Sequence, residues 1–391
     1  MNFPERFSNL PDYAFPRLRA LLDDHAPGGD ILHMSIGEPK HAFPDFVRET
    51  LIAEMEGFNR YPNNNGTDDL LSAVADWNKA RHDLSLNANE IMALNGTREG
   101  LFNAVLALCP ETKSGAKPKV LIPNPFYQVY AIGTLTAAAE PVFVNAIKDT
   151  GYLPDFTSLD EQTLDQTAIA FICSPANPQG CVAGRDYYAA LIKLAEKHDF
   201  YVFSDECYSE IYRNSPPVSA LTVARDMGAD PNRVVVFNSL SKRSNLPGLR
   251  SGFVASGPEA IANIRRLRAY AGAPPPGPLQ EVAALVWRDE DHVIENRALY
   301  QEKFELADDV FAHIDAITLP DAGFFLWLPV ENDEAAALKL WQKSGVRVLP
   351  GSYLSRDTET GNPGRGYIRV ALVAPKSEIE RGLVEIRDVL Y

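Results

Sequence analysis

Asn238-Ser239-Leu240-Ser241-Lys242-Arg243-Ser244-Asn245-Leu246-Pro247-Gly248-Leu249-Arg250 follows directly on the apolar run 234–237. A buried strand that delivers two hydroxyls and a lysine, with an arginine eight residues on, gathers what a dianionic phosphate beside a nucleophilic amine requires. Serine, lysine and arginine are also common in solvated loops, so this segment alone decides nothing. Three further segments supply what it lacks.

The segment Phe200-Tyr201-Val202-Phe203-Ser204-Asp205-Glu206-Cys207-Tyr208 reads as a buried strand ending in a carboxylate. Ligands of open α/β sheets lie beyond the carboxyl ends of the strands, where Asp205 could meet a pyridine nitrogen and keep it protonated. In Phe171-Ile172-Cys173-Ser174-Pro175-Ala176-Asn177-Pro178-Gln179-Gly180 a second strand runs into a fixed turn, and Asn177 there has an amide able to donate to a ring oxygen. Asn95-Gly96-Thr97 opens an amphipathic helix whose free amides favour a phosphate at Gly96 and Thr97. Each segment has a plain structural explanation, as a helix cap or an ordinary turn. Their company points to pyridoxal phosphate as cofactor.

Between these segments strand and helix patterns alternate. Residues 119–123, 168–174, 200–205 and 234–237 read as buried strands, separated by helical patterns at 98–108, 185–198 and 258–270. This predicts an α/β fold whose mainly parallel sheet is covered by helices on both faces. Past the proline-rich 274–278 the pattern changes: 281–310 is helical, 323–329, 346–349 and 367–372 read as strands, and 376–390 as a last helix. An N-terminal arm (1–44, with an amphipathic stretch at 15–22) is expected to join a smaller α+β domain (276–391). With a large cofactor-binding domain at 45–275, the ligand would lie between the two.

In order and spacing these segments resemble the class I aminotransferases of fold type I, from Ser35-Ile36-Gly37-Glu38-Pro39 to Tyr367-Ile368-Arg369-Val370-Ala371. Stretches 32–40, 123–130, 204–211, 239–252 and 349–354 are similar to the N-succinyldiaminopimelate aminotransferases. The resemblance implies that Lys242 condenses with the cofactor aldehyde, that Asp205 pairs with the pyridine nitrogen and that Asn177 and Tyr208 donate to the ring oxygen. It implies that Tyr127 stacks on the ring and that Gly96, Thr97, Ser239, Ser241 and Arg250 hold the phosphate. Tyr61 would cross the interface of a homodimer to the neighbouring phosphate, and Arg369, with a backbone amide of Gly37 nearby and Asn177, would grip the substrate α-carboxylate. The implied reaction moves the amino group of N-succinyl-LL-2,6-diaminopimelate to 2-oxoglutarate. Other aminotransferases (aspartate, alanine, aromatic) and carbon–sulfur lyases on the same scaffold would place these residues alike. The four prolines within 270–278, with Asn95 and Thr97, depart from the subfamily pattern and bear on the substrate rather than the cofactor. Arg98 and Arg213 are candidates for the distal end of a long substrate, although surface ion pairing explains each as well.

Bulk properties agree with small amino acids and 2-oxo acids as partners. Against 37 basic residues stand 52 acidic ones, a net charge of −15, which argues against nucleic acid or an anionic membrane. A non-catalytic regulator would need a basic DNA-binding extension, and this acidic chain shows none. Cysteines 109, 173, 181 and 207 show neither CxxC pairing nor metal-ligand spacing with the seven histidines; they read as reduced thiols in a cytoplasmic protein without a metal. The first seven residues lack a signal-peptide profile, and no apolar run is long enough to cross a bilayer. Nucleotide-loop and hydrolase motifs (GxxxxGK[ST], GxGxxG, HExxH, GxSxG) are absent. Asp205 and Glu206, being adjacent, should face opposite sides and not act as a pair.

Overall fold

Runs of β-branched and aromatic residues set the central sheet. The computed structural model describes residues 5–8, 10 and 13–391. After a two-residue strand in the arm, β1 (Leu32–His33), seven strands form one sheet: β2 (Ile91–Leu94), β3 (Lys119–Asn124), β4 (Glu140–Asn145), β5 (Thr167–Cys173), β6 (Tyr201–Asp205), β7 (Val234–Ser239) and β8 (Gly252–Ala255). Their order is β2-β8-β7-β6-β5-β3-β4. Strands β3 to β7 pair in parallel, and β8 runs antiparallel to both its neighbours. Every residue of β5 and β7 is buried, as strands covered on both faces must be.

The pleat divides the core in two. Val234 and Val236 of β7 join one apolar cluster, with Trp77, Tyr188 and Trp287, while Val235 and Phe237 join another, with Leu101, Tyr130 and Ile264. Helices Asp68–His82, Arg185–His198 and Gly277–Arg288 therefore cover one face, and Thr97–Leu108, Gln128–Thr136 and Pro258–Ala271 the other. The same alternation sends Asp205 of β6 to the face of Tyr130 and Glu206 to the opposite one.

A second, smaller sheet runs β11 (Leu349–Pro350), β12 (Tyr367–Ala371), β9 (Phe325–Pro329), all antiparallel, while β10 (Val346–Arg347) pairs in parallel with β1 of the arm. The arm helix Ala14–Leu22 buries Ala14, Leu18 and Leu22, one apolar stripe, against Trp327, Trp341 and Tyr353.

Two expected elements divide. The 346–349 strand is β10 and β11, which serve different partners. The 281–310 helix is two helices, Gly277–Arg288 and Asp291–Phe311, and the break has a physical cause in Arg243. That guanidinium, fully buried, donates to the carbonyls of Val286 (2.9 Å), Trp287 (3.3 Å) and Asp289 (3.2 Å) and pairs with Glu290. It thus satisfies carbonyls that the end of the first helix leaves open. No described helix is long and apolar enough to cross a membrane.

Candidate active site

Strands β5, β6 and β7 end side by side, and their last residues open onto a cavity of about 910 Å³ bounded on the other side by β12, Phe325 and the arm. Lys242 stands one short helix (Leu240–Arg243) beyond β7, with its Nζ 2.5 Å from the Gly37 carbonyl and 5.4 Å from the centre of the Phe324 ring. Desolvation lowers its pKa to about 8, with the Arg369 and Arg250 charges acting in the same direction. A neutral, nucleophilic amine is therefore accessible near physiological pH.

Asp205 ends β6 buried in the cavity wall. Burial raises its pKa, while hydrogen bonds from Tyr130 and Cys207 and the charge of Lys242 pull it back. The Tyr130 hydroxyl donates to Oδ2 at 2.7 Å, and the Cys207 amide reaches Oδ1 at 3.4 Å. An anion is thus held at the cavity wall by a phenol that is itself fully enclosed.

At one end the hydroxyls of Thr97, Ser239 and Ser241 and the guanidinium of Arg250 converge. Thr97 Oγ1 and Ser239 Oγ both approach the Cys207 thiol, at 3.2 and 3.7 Å. Gly96, at φ +75°, caps helix Thr97–Leu108, and a Cβ there would lie 2.0 Å from Arg250 Nη2. Hydroxyls, a guanidinium and a helix N-terminus in one corner are the donor set a phosphate requires. Tyr127 and Tyr208 line the walls between, the latter's ring 5.3 Å from Phe324 and its hydroxyl pKa pushed up by burial.

Arg369, on β12, is buried and anchored on two sides. Nη1 donates to Asn177 Oδ1 at 3.0 Å and Nη2 to the Ser35 carbonyl at 2.7 Å, while Nε is buried with no partner. Burial lowers its pKa to about 10, which leaves it charged at neutral pH. The Gly37 carbonyl accepts from Lys242, and a Cβ at Gly37 would lie 2.3 Å from the Phe325 ring. Together, an amine, a buried carboxylate, a phosphate-type corner and a carboxylate-type arginine fit pyridoxal phosphate and an amino acid side by side.

Tyr61 is fully exposed and does not line this cavity; Ile52, Met55 and Phe58 are also exposed. Arg213 pairs with Asp308 and does not line the cavity, whereas Arg98 does. Sequence reading passed over Tyr130, although its position, three residues past Tyr127 on a helix start, places both on one face. The thiol of Cys207 was also missed as a structural part of the phosphate-type corner, and all four cysteines are free.

A model of the family Aminotransferase class I and II matches residues 29–386. The LL-diaminopimelate aminotransferase of Dehalococcoides mccartyi is 31% identical over an alignment of 401 positions that covers 99% of each chain. Among solved structures, an aminotransferase from Neisseria meningitidis superposes with a TM-score of 0.95 at 39% identity over 100% of both chains. Aminotransferase AspB from Helicobacter pylori gives 0.90 at 33% identity over 99% of both. The chain belongs to the class I and II aminotransferases, of fold type I, and its cofactor is pyridoxal 5′-phosphate.

Proposed function

We propose that the protein transfers the amino group of a long polycarboxylic amino acid, N-succinyl-LL-2,6-diaminopimelate, to 2-oxoglutarate, giving the 6-oxo succinylated acid and L-glutamate. The observation that carries an α-amino-acid substrate is Arg369, a buried guanidinium that lines the same cavity as Lys242, with Nη1 set by Asn177 and Nη2 by the Ser35 carbonyl. Such a planar cation matches a substrate carboxylate.

Pyridoxal phosphate, when bound, supplies the electron sink that makes a Cα proton removable. The chain supplies the rest. Lys242 is nucleophile and then carrier of the Cα proton, tasks that its lowered pKa suits. Arg369, set by Asn177 and Ser35, fixes the α-carboxylate and so the direction of the Cα–H bond. With pyridoxal phosphate bound, Asp205 would pair with the pyridine nitrogen as an anion, Asn177 and Tyr208 would serve the ring oxygen and Tyr127 would cover a ring face. Gly96, Thr97, Ser239, Ser241 and Arg250 would take the phosphate. The segment at 354–356 is tied to the end of β3 where the Phe126 amide donates to the Leu354 carbonyl (3.0 Å) and Asn124 bonds both the amide and the carbonyl of Arg356 (2.9 Å each).

The succinylated donor is supported by the sequence stretches around Lys242 and 349–354, and by an apolar wall of Phe15, Ile36, Phe102 and Val129 suited to a long methylene chain. A homodimer is supported by the exposed Ile52, Met55, Phe58, Tyr61 and Tyr270, an apolar set in need of cover. A second reading, free LL-diaminopimelate as donor, is favoured by the name of the D. mccartyi relative. It requires an anion for the distal ammonium, and Glu38, exposed on the cavity lining, is the candidate. Measuring kcat/KM for the two donors with 2-oxoglutarate decides: a preference for the free diamine, or for alanine or an aromatic donor, overturns the proposal.

A further inference from the structure

Strands β5 and β6 bring their carboxyl ends to the active site, and a second polar cluster lies at their amino ends. Glu161 and Asp165 are the first and last residues of the short helix Glu161–Asp165, which leads into β5 at Thr167. His198 closes helix Arg185–His198, which leads into β6 at Tyr201. Each of the three side chains brings a ligand atom to within 4.8 Å of the other two. Sequence spacing hid the group, because His198 stands 33 residues beyond Asp165.

The imidazole gives the cluster its chemistry. His198 is 5% exposed, and its Nδ1 lies 2.7 Å from Asp165 Oδ1. A carboxylate only accepts, so Nδ1 carries the proton and Nε2 of the neutral ring keeps a lone pair. That Nε2 is buried with no hydrogen-bond partner, and Glu161 Oε2 stands 3.8 Å from it, too far for a hydrogen bond. Buried nitrogens are rarely left open, and a lone pair opposite a carboxylate is repelled. A cation between them reverses the sign. Nitrogen and carboxylate oxygen each sit about 2.0–2.2 Å from a zinc-type ion, so atoms 3.8 Å apart straddle one at an obtuse angle.

Asp165 then has the outer place found at metal-bound imidazoles, a carboxylate accepting from the other ring nitrogen. Two local fields favour the same cation. Glu161 and Asp165 are like charges four residues apart on one helix face, and the last turn of helix Arg185–His198 presents its negative end. Lys197, the cation already there, engages the other Glu161 oxygen, Oε1, at 2.7 Å and leaves Oε2 to the ring. Both carboxylates are exposed, so water can complete the coordination shell.

We propose that His198 and Glu161, with Asp165 set behind the ring, bind a divalent transition-metal ion of the zinc class and so clasp the two helices that lead into β5 and β6. Its effect is on stability, since the reacting groups stand at the opposite ends of these strands.

The test titrates the holoenzyme, cleared of metal by a chelator, with zinc chloride in equilibrium dialysis read by elemental analysis, with magnesium chloride for comparison. One zinc ion per chain should bind saturably at micromolar concentration, and magnesium at least about a hundredfold more weakly, because it disfavours imidazole. Saturation should raise Tm by about 2–5 °C and leave turnover within about twofold. His198→Gln should weaken zinc binding at least about a hundredfold, and Glu161→Gln and Asp165→Asn about tenfold or more each. Glu161 is exposed, so its variant tests the site even where loss of the buried ring disturbs folding. No saturable zinc site at millimolar concentration, or an affinity unchanged in both Glu161→Gln and His198→Gln, overturns the proposal. Magnesium binding as tightly as zinc overturns the assignment of the imidazole as ligand.

Discussion

Tyr130 offers a sharp test of how the site holds its negative charge. Its hydroxyl donates 2.7 Å to Asp205 Oδ2, inside a wall where the next nearest donor, the Cys207 amide, is 3.4 Å away. Replacement by Phe keeps the ring, which stacks on Phe171 at 4.3 Å and meets Tyr127 edge-on at 5.7 Å, so the cluster stays packed. Only the hydrogen bond is lost. Hydrogen bonds to charged groups contribute about 1.5–3 kcal/mol, and burial already disfavours the Asp205 anion, so nothing nearby makes up the deficit.

If that deficit falls on the transition state, where the ring nitrogen most needs its counter-charge, kcat drops roughly ten- to a hundredfold. The pH profile carries the sign. Tyr130 stabilises the ionised carboxylate, so removing it raises the Asp205 pKa and moves the acid limb of kcat to higher pH. Steady-state rates across pH 5 to 9, with cofactor absorbance recorded in parallel, measure both effects. A Tyr130→Phe enzyme within twofold of wild type, with an unmoved acid limb, would show that the Asp205 charge does not depend on this phenol.

Lys242→Ala should retain cofactor by dialysis yet lose at least about a thousandfold in turnover and escape covalent labelling by borohydride, because nucleophile and proton carrier are one group. Gly96→Ala should release cofactor far more readily, by about tenfold or more in affinity, since its Cβ would sit 2.0 Å from Arg250 Nη2 at a φ of +75°; absorbance after gel filtration checks this. Glu206, buried behind the site and accepting from Ser204, Ser219 and the Ala220 amide, has its pKa raised to about 7 by desolvation. A raised carboxyl pKa means that stability is lost as pH climbs from about 4.5 to about 7, by up to about 3 kcal/mol. Glu206→Gln should therefore melt at or above the wild-type temperature at pH 8 and lose that advantage at pH 5. Tyr61→Phe should weaken cofactor retention only if the chain pairs with a second copy, and sedimentation of the variant separates that effect from loss of the dimer.

The strands that position the site were legible because they are buried on both faces and therefore written as unbroken apolar runs: 168–174, 200–205 and 234–237 sit almost where β5, β6 and β7 lie. The strands left unread fail that rule for physical reasons. β8 is four residues that begin with Gly252, too short for a pattern, and β4 is an edge strand with exposed Glu140 and a proline at 141. The local signal for the division of 281–310 is Asp289 alone, whose carboxylate accepts from the His292 amide (3.1 Å) at the start of the second helix. The agent of that division is Arg243, more than forty residues away and directly beside Lys242. Tyr130 acts through one hydroxyl whose partner lies 75 residues on.

These misses share a cause that bears on the chemistry. A protein of net charge −15 whose substrates are amino and 2-oxo acids must keep its positive charge local, since solvent screens fields beyond about 8 Å at physiological salt. The cavity does this with Lys242, Arg250, Arg369 and Arg98, while two of its three lining carboxylates are committed: Glu99 is neutralised by Arg268 and Asp205 is bound by Tyr130. Both commitments are contacts between elements distant in sequence. The motifs therefore say which groups take part in the chemistry, and the tertiary contacts decide which charges remain free for the substrate.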